Sequence, residues 1–199
     1  KNPQSVSDML GNGQAMADVH LPVKINEDIA LAKLILKKLV ALDAKNSNVL
    51  DHEFIVEYVD GYDDLLKDLE HYDTESLQKR CGVYMRKIDQ VVQLLAENSK
   101  IVICWAMGIT QHKNAVDCIK EYVNILLLKG AVGKPFAGTC PVRGHSNVQG
   151  DRSVGIMHYV NKTLNENIQK HLNFDPPTEK GYDTVEAIEA MHEGKAKVF

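Results

Sequence analysis

Helical spacing dominates the distribution of apolar positions along this chain. Ile29, Leu31, Leu34, Ile35, Leu36, Leu39 and Val40 recur at three- and four-residue steps and fill more than one narrow stripe, which predicts a well-buried helix. Asn26 is placed to cap it, with Glu27 and Asp28 at the positive end of its dipole. From Asp51 to Asn98 the helical period continues in short pieces. Asp51 caps a segment with Phe54, Ile55 and Tyr58 on one face, Gly61 breaks it, and Leu65, Leu66 and Leu69 mark a second helix. Thr74 and Glu75 open a further turn or two closed by Gly82, and Met85, Ile88, Val91, Val92 and Leu95 define an amphipathic helix. Val160 to Leu172 and Thr184 to Glu193 predict two more helices around the Pro176-Pro177 break.

Strand patterns are rarer. Residues Ala17 to Val23 alternate apolar and polar and predict a short strand, with Pro22 at its edge or end. Lys100 to Trp105 is an apolar, β-branched run bounded by polar residues and predicts a buried parallel strand. The turn Met107 to Gln111 follows, then a long helix that runs to Lys129 and ends at Gly130, a suitable residue just past a helix end. From Gly130 to Gly155 the pattern is that of a glycine-rich loop, and loops of that length are usually functional or disordered. Lys195 to Phe199 read as the start of another strand. A domain seldom stops at an unpartnered strand edge, so the chain is expected to be cut from something longer. Helix, strand, glycine turn, helix is half of a Rossmann-like unit. The predicted fold class is α/β: a helix-rich, Rossmann-like three-layer fragment with a short parallel sheet.

Composition narrows the function classes. The 199 residues suffice for one sizeable α/β domain or two small subdomains, and 44% hydrophobic with 25% charged residues is globular, not disordered. A net charge of −4 and a pI of about 6.1 leave no basic patch for nucleic acid. No apolar run reaches the ~20 residues needed to span a bilayer, and Lys1 to Gln4 shows no apolar leader core. Cys81, Cys104, Cys118 and Cys140 form no CxxC and match no zinc or iron–sulfur spacing. Free, structural thiols in a reducing cytoplasm are the expectation.

Chemistry is concentrated in two places. At Met107 to Gln111, a strand ending in a glycine turn that opens a helix directs free backbone N–H groups outward, suiting an anionic or nucleotide-like ligand. Gly108 permits close backbone approach, and Thr110 and Gln111 add side-chain hydrogen bonds. The second is the loop Gly138 to Gly150, which sets Arg143, His145, Asn147 and Gln149 among glycines that include Gly144. Arg143 can bind a carboxylate or phosphate in bidentate fashion, and His145 can exchange protons near neutral pH. Each also has a plain reading, as strand–helix geometry and as a solvated surface loop. The other histidines show no metal-ligand spacing.

These motifs carry a resemblance. Trp105-Ala106-Met107-Gly108-Ile109-Thr110-Gln111, Leu128-Lys129-Gly130-Ala131-Val132-Gly133-Lys134-Pro135 and Pro141-Val142-Arg143-Gly144-His145-Ser146-Asn147-Val148-Gln149-Gly150 together resemble the catalytic subunits of molybdopterin-dependent formate dehydrogenases. The resemblance treats 1–199 as a single internal domain fragment, best matched over 17–155, with 156–199 a helical segment leading into the next strand. It implies molybdenum or tungsten held by two molybdopterin guanine dinucleotides, and an iron–sulfur cluster bound by cysteines that precede this region. Met107, Gly108, Thr110 and Gln111 would line the dinucleotide, joined by Gly144, His145, Asn147 and Gln149, while Arg143 would steer a small anionic substrate such as formate. An electron-acceptor protein or subunit would take the electrons. No metal ligand is expected in the chain, so the fragment alone is expected to be inactive. His145 stands where these enzymes commonly have glutamine, which implies a substrate other than formate as one alternative. The other alternative is a non-catalytic nucleotide- or partner-binding domain.

Overall fold

The structure, a computed structural model, describes residues 6, 11, 16–46, 48–145, 147–159 and 161–198. It divides into two units, 1–142 and 143–199. Among the described residues the fold is helix-rich α/β, with ten helices and one two-stranded parallel sheet.

Unit 1 is built around α1 (Asp28–Asp43). Ala30, Leu31, Ala32, Leu34, Ile35, Leu36 and Leu39 are all buried, so this helix is covered around most of its circumference, as its broad apolar pattern requires. Its neighbours are α3 (Tyr62–Glu70), α4 (Thr74–Cys81), α5 (Met85–Glu97) and α7 (Ala115–Leu128). The short α2 (His52–Tyr58) packs on α7 and starts where the sequence places it, with the Asp51 carboxylate accepting from Phe54 N at 3.0 Å. Gly61 and Gly82 adopt left-handed φ values of 76° and 73° at the helix ends they punctuate.

Two expectations at the start of the chain fail. Asn26 does not cap α1; it takes φ 64° in a turn closed by Glu27 N donating to Lys24 O, and Glu27 occupies the cap position. Asparagine tolerates that left-handed backbone. Nor is 17–23 a strand. Val23 N donates to Leu21 O and Lys24 N to Cys81 O, so the backbone groups there are spent locally and on the end of α4. Leu21 and Val23 still pack on the core, which is what their alternation reported.

The sheet pairs β1 (Val102–Trp105) with β2 (Gly138–Pro141) in parallel, in the register Val102–Gly138, Ile103–Thr139, Cys104–Cys140 and Trp105–Pro141. β1 falls where the sequence puts it, but only one of its faces is covered. Ile103 and Trp105 are half-buried, while Val102 and Cys104 are exposed. β2 and the one-turn-and-a-half α8 (Val148–Ser153) lie in the stretch read as loop. Between β1 and α7, α6 (Met107–Thr110) is a separate single turn, so the long helix begins only at Ala115.

Unit 2 carries α8, α9 (Lys162–Leu172) and α10 (Thr184–His192). Asn161 caps α9, and Asp183 with Glu186 forms a reciprocal capping box on α10. Among its described residues only Ala190 is buried. Lys195 to Val198 form no strand; Lys195 N and Ala196 N both return to Ala190 O at the end of α10, and Phe199 lies outside the described residues. No helix among the described residues is long and apolar enough to cross a membrane.

One polar cluster is sunk into this apolar core. Lys33 of α1 is buried and pairs with Asp68 of α3 and with Glu121 of α7 at 2.6 Å, its ammonium also lying over the Tyr72 ring. Burial alone would lower its pKa, but the hydrogen bonds to Asp68 and Glu121 outweigh it and the pKa is raised above 10.5. The cluster's stabilisation is therefore present below pH 10.5 and is lost only as pH climbs through the raised value. Lys33→Met leaves the Glu121 carboxylate, whose side chain is 13% exposed, without its cation. The expected loss in urea denaturation is about 3 kcal/mol; a loss below about 1 kcal/mol would show that solvent replaces the lysine.

Candidate functional site

The site region is set by how α7 ends. Ala131 N donates to Leu126 O at 2.8 Å and Gly130 N to Leu127 O at 3.1 Å, the paired bonds of a Schellman motif. Gly130 has φ 56°, and a Cβ there would lie 2.2 Å from the Asp51 carboxylate oxygen. Asp51 N accepts no compromise either, since it donates to Leu128 O at 2.9 Å. Lys134 bonds the same Asp51 carboxylate at 2.8 Å and, with the Phe54 amide, holds its pKa below the usual carboxylate value. Lys129 reaches back to donate to Val49 O and Ala96 O. The chain then enters β2, where Gly138 N donates to Ile101 O, and leaves it with Val142 N donating to Trp105 O at 2.7 Å.

Because the strands are parallel, Ala106 and Val142 emerge at the same end of the sheet. Four predicted residues sit on the turn that leaves β1. Met107, Gly108 and Thr110 belong to α6, and Gln111 closes it; all four are exposed. Ile109 N and Thr110 N both return to Ala106 O, while the first amides of the turn, at Met107 and Gly108, have no acceptor within the helix. The Gln111 amide rests on Met107 Sδ at 3.6 Å. Gly108 differs from Gly130 in kind: a Cβ there meets nothing within 4 Å. The space above its backbone is open, and a side chain would fill it.

The remaining predicted residues belong to unit 2. Arg143, Gly144 and His145 precede α8, Asn147 stands at its N-cap without a side-chain capping bond, and Gln149 lies within it. All are exposed, and Gly144 is open above its backbone in the same way as Gly108. Ser146 lies outside the described residues. Surface clefts run along Asp51, His52, Ser99 and Lys129 in unit 1, and along Lys162, Asn165, Gln169 and Asp175 in unit 2. Among the described residues no group of three or more His, Cys, Asp or Glu converges as a metal site.

No family model matches the chain, but whole proteins do. An uncharacterised oxidoreductase of Mycobacterium tuberculosis is 37% identical over 200 residues, covering 100% of this chain and 26% of the relative. The protein YdeP of Escherichia coli is 34% identical across 99% of the chain and 27% of its own length. Formate dehydrogenase H of Escherichia coli is 31% identical over 142 residues, 71% of this chain and 19% of that enzyme. The chain is homologous to a segment of the molybdopterin oxidoreductases. It spans about a quarter of the length of the relatives it matches from end to end.

The sequence pattern does not reveal β2, nor the pairing of Cys104 against Cys140 that depends on it. Gly-Thr-Cys-Pro offers one β-branched residue and a proline, too little to mark a strand. The usable signal was arithmetic: both cysteines stand one residue before the last position of a short segment that leads straight into a recognisable motif.

The two glycines give a test of this geometry. Gly130→Ala should cost about 1–3 kcal/mol from its left-handed backbone alone, with the Asp51 overlap adding to it. Gly108→Ala should leave stability unchanged or raise it by up to about 1 kcal/mol, because the new methyl meets nothing and the helix gains propensity. Equal losses in thermal melts of the two variants would refute the contrast.

Proposed function

We propose that this chain forms one wall of the active site of a molybdenum- or tungsten-dependent oxidoreductase of the formate dehydrogenase type. Homology to that family and the open backbone at Gly108 carry this reading. A ligand approaching the end of β1 meets bare main chain, two helix-terminal amides, and the side chains of Thr110 and Gln111. That donor set suits the phosphates and polar edges of a pterin guanine dinucleotide. The resemblance assigns Gly144, His145, Asn147 and Gln149 to dinucleotide contacts as well, and Gly144 again has open space above its backbone. When bound, the bis(molybdopterin guanine dinucleotide) centre supplies the two-electron redox chemistry performed on the substrate.

Within that reading, each residue has a limited task. Arg143 holds the substrate anion: its planar guanidinium presents two parallel N–H donors to a carboxylate. His145 adjusts hydrogen bonding or holds a proton near the anion. The ligands of the metal, the iron–sulfur cysteines and the surface for an electron-acceptor protein are assigned to the remainder of the full-length polypeptide, in a cytoplasmic compartment where free thiols such as these four persist. A second reading keeps the cofactor but changes the substrate, and His145 in place of glutamine favours it.

Metal and pterin analysis of the full-length protein, followed by formate-dependent dye reduction on the same sample, tests the proposal. Metal with two pterins and activity supports it through to formate. Cofactor without formate oxidation moves the substrate to another small anion, and absence of both metal and pterin leaves a non-catalytic binding domain. In the active protein, Arg143→Ala should lower turnover by about 100-fold or more while pterin content stays near wild type. Parallel losses in both would make Arg143 a cofactor-positioning residue.

A further inference from the structure

The four cysteines fall into two classes. Cys81 and Cys118 are buried, whereas Cys104 and Cys140 are exposed and face each other in register across β1 and β2. Neighbouring strands run about 4.7–4.9 Å apart, inside the Cα separation of about 4.4–6.8 Å that a disulfide accepts. Directly paired residues of a parallel ladder project to the same face, and here it is the open one, since Ile103 and Trp105 turn to the covered side. We propose that Cys104 and Cys140 are a redox-active dithiol that closes to a disulfide across the sheet when the protein meets a hydroperoxide.

The chemistry balances with that oxidant alone. Cys140 gives up its proton and its sulfur attacks a peroxide oxygen, the O–O bond breaks, and the leaving hydroxide or alkoxide takes up that proton to depart as water or an alcohol, giving a sulfenic acid. Cys104 then attacks the oxidised sulfur: an S–S bond forms, the S–O bond breaks, and hydroxide departs with the Cys104 proton as water. The two thiols lose one electron each, and the peroxide gains two. Desolvation, then the hydrogen bond with Cys140 and repulsion from its charge, push the Cys104 thiol above its ordinary value. That direction favours Cys140 as the first nucleophile and Cys104 as the resolving thiol. The bond would join the strands one residue before Trp105 and Pro141, fixing the strand ends from which Met107 to Gln111 and Val142 depart. It rests on the geometry of unit 1 and stands whether or not the proposed reaction does.

The test treats the full-length protein with hydrogen peroxide, blocks remaining thiols by alkylation, and maps unreduced peptides by mass spectrometry. The expected result is concerted loss of alkylation at Cys104 and Cys140, with a linked peptide two hydrogens lighter than its parts. Dithiothreitol should restore both thiols, while Cys81 and Cys118 stay unchanged. In Cys104→Ser, the link disappears and dimedone traps a sulfenic acid at Cys140. Cys104 and Cys140 remaining as free thiols, or each becoming a sulfinic acid without a link, would overturn the proposal.

Discussion

The burial of α1 against α7 is the contact on which the rest of unit 1 depends. α7 has two apolar sides. Ile125 and Leu128 join the main core with α1, while Leu126 packs with Ile101 and Ala131 beneath the start of β1. A shift of α7 on α1 therefore carries the sheet with it. The Lys33 cluster reinforces that placement at the same junction. A buried ion pair gains little net energy over an apolar substitute, but it penalises any slide of α1 that separates Lys33 from Glu121.

The C-terminus of α7 transmits this placement to the site. Its last carbonyls are satisfied by Gly130, Ala131 and the amide of Asp51, and the Lys129 side chain ties in the ends of two other segments through Val49 O and Ala96 O. Burial lowers the Lys129 pKa, with Asp43 and Asp51 opposing. Its two carbonyl acceptors are met by N–H donors of the side-chain amino group. From this node to Gly138 the chain has eight residues, and the bonds from Gly138 N to Ile101 O and from Val142 N to Trp105 O then fix the register.

What the sequence disclosed follows from what each feature requires. Helices were legible because burial of one stripe leaves a period: α1, α5 and the end of α7 lie where Leu34, Val92 and Gly130 put them. Asp51 was legible because a cap needs a carboxylate at one position. β2 was not, because its hydrogen bonds come from the backbone of a Gly-Thr-Cys-Pro stretch whose pairing depends on β1, 36 residues earlier in register. Residues 17–23 misled in the opposite direction. Their alternation reflects Leu21 and Val23 touching the core as irregular chain, and a period of two does not distinguish that from a ladder. At the site, Met107 to Gln111 could be placed on a strand–helix turn from spacing, but the separate α6 turn could not. The roles of Arg143 and His145 came from resemblance, not from any pattern.

Gly108 and Gly130 show why the same residue type argues for different things. Gly130 is explained in full by its surroundings: positive φ, the Schellman bonds and the Asp51 carboxylate leave no room for a side chain. Gly108 is explained by nothing within this chain. Its backbone is helical, its surroundings are empty, and alanine would serve the helix better. Among the described residues nothing meets a Cβ at Gly108, just past the end of a parallel strand, so the fold itself does not call for glycine there. Exposed apolar residues on the same unit, Met107, Phe136 and Val142 among them, extend the point. A ligand site needs enclosing walls, and among the described residues the α6 turn beyond β1 lies open to solvent.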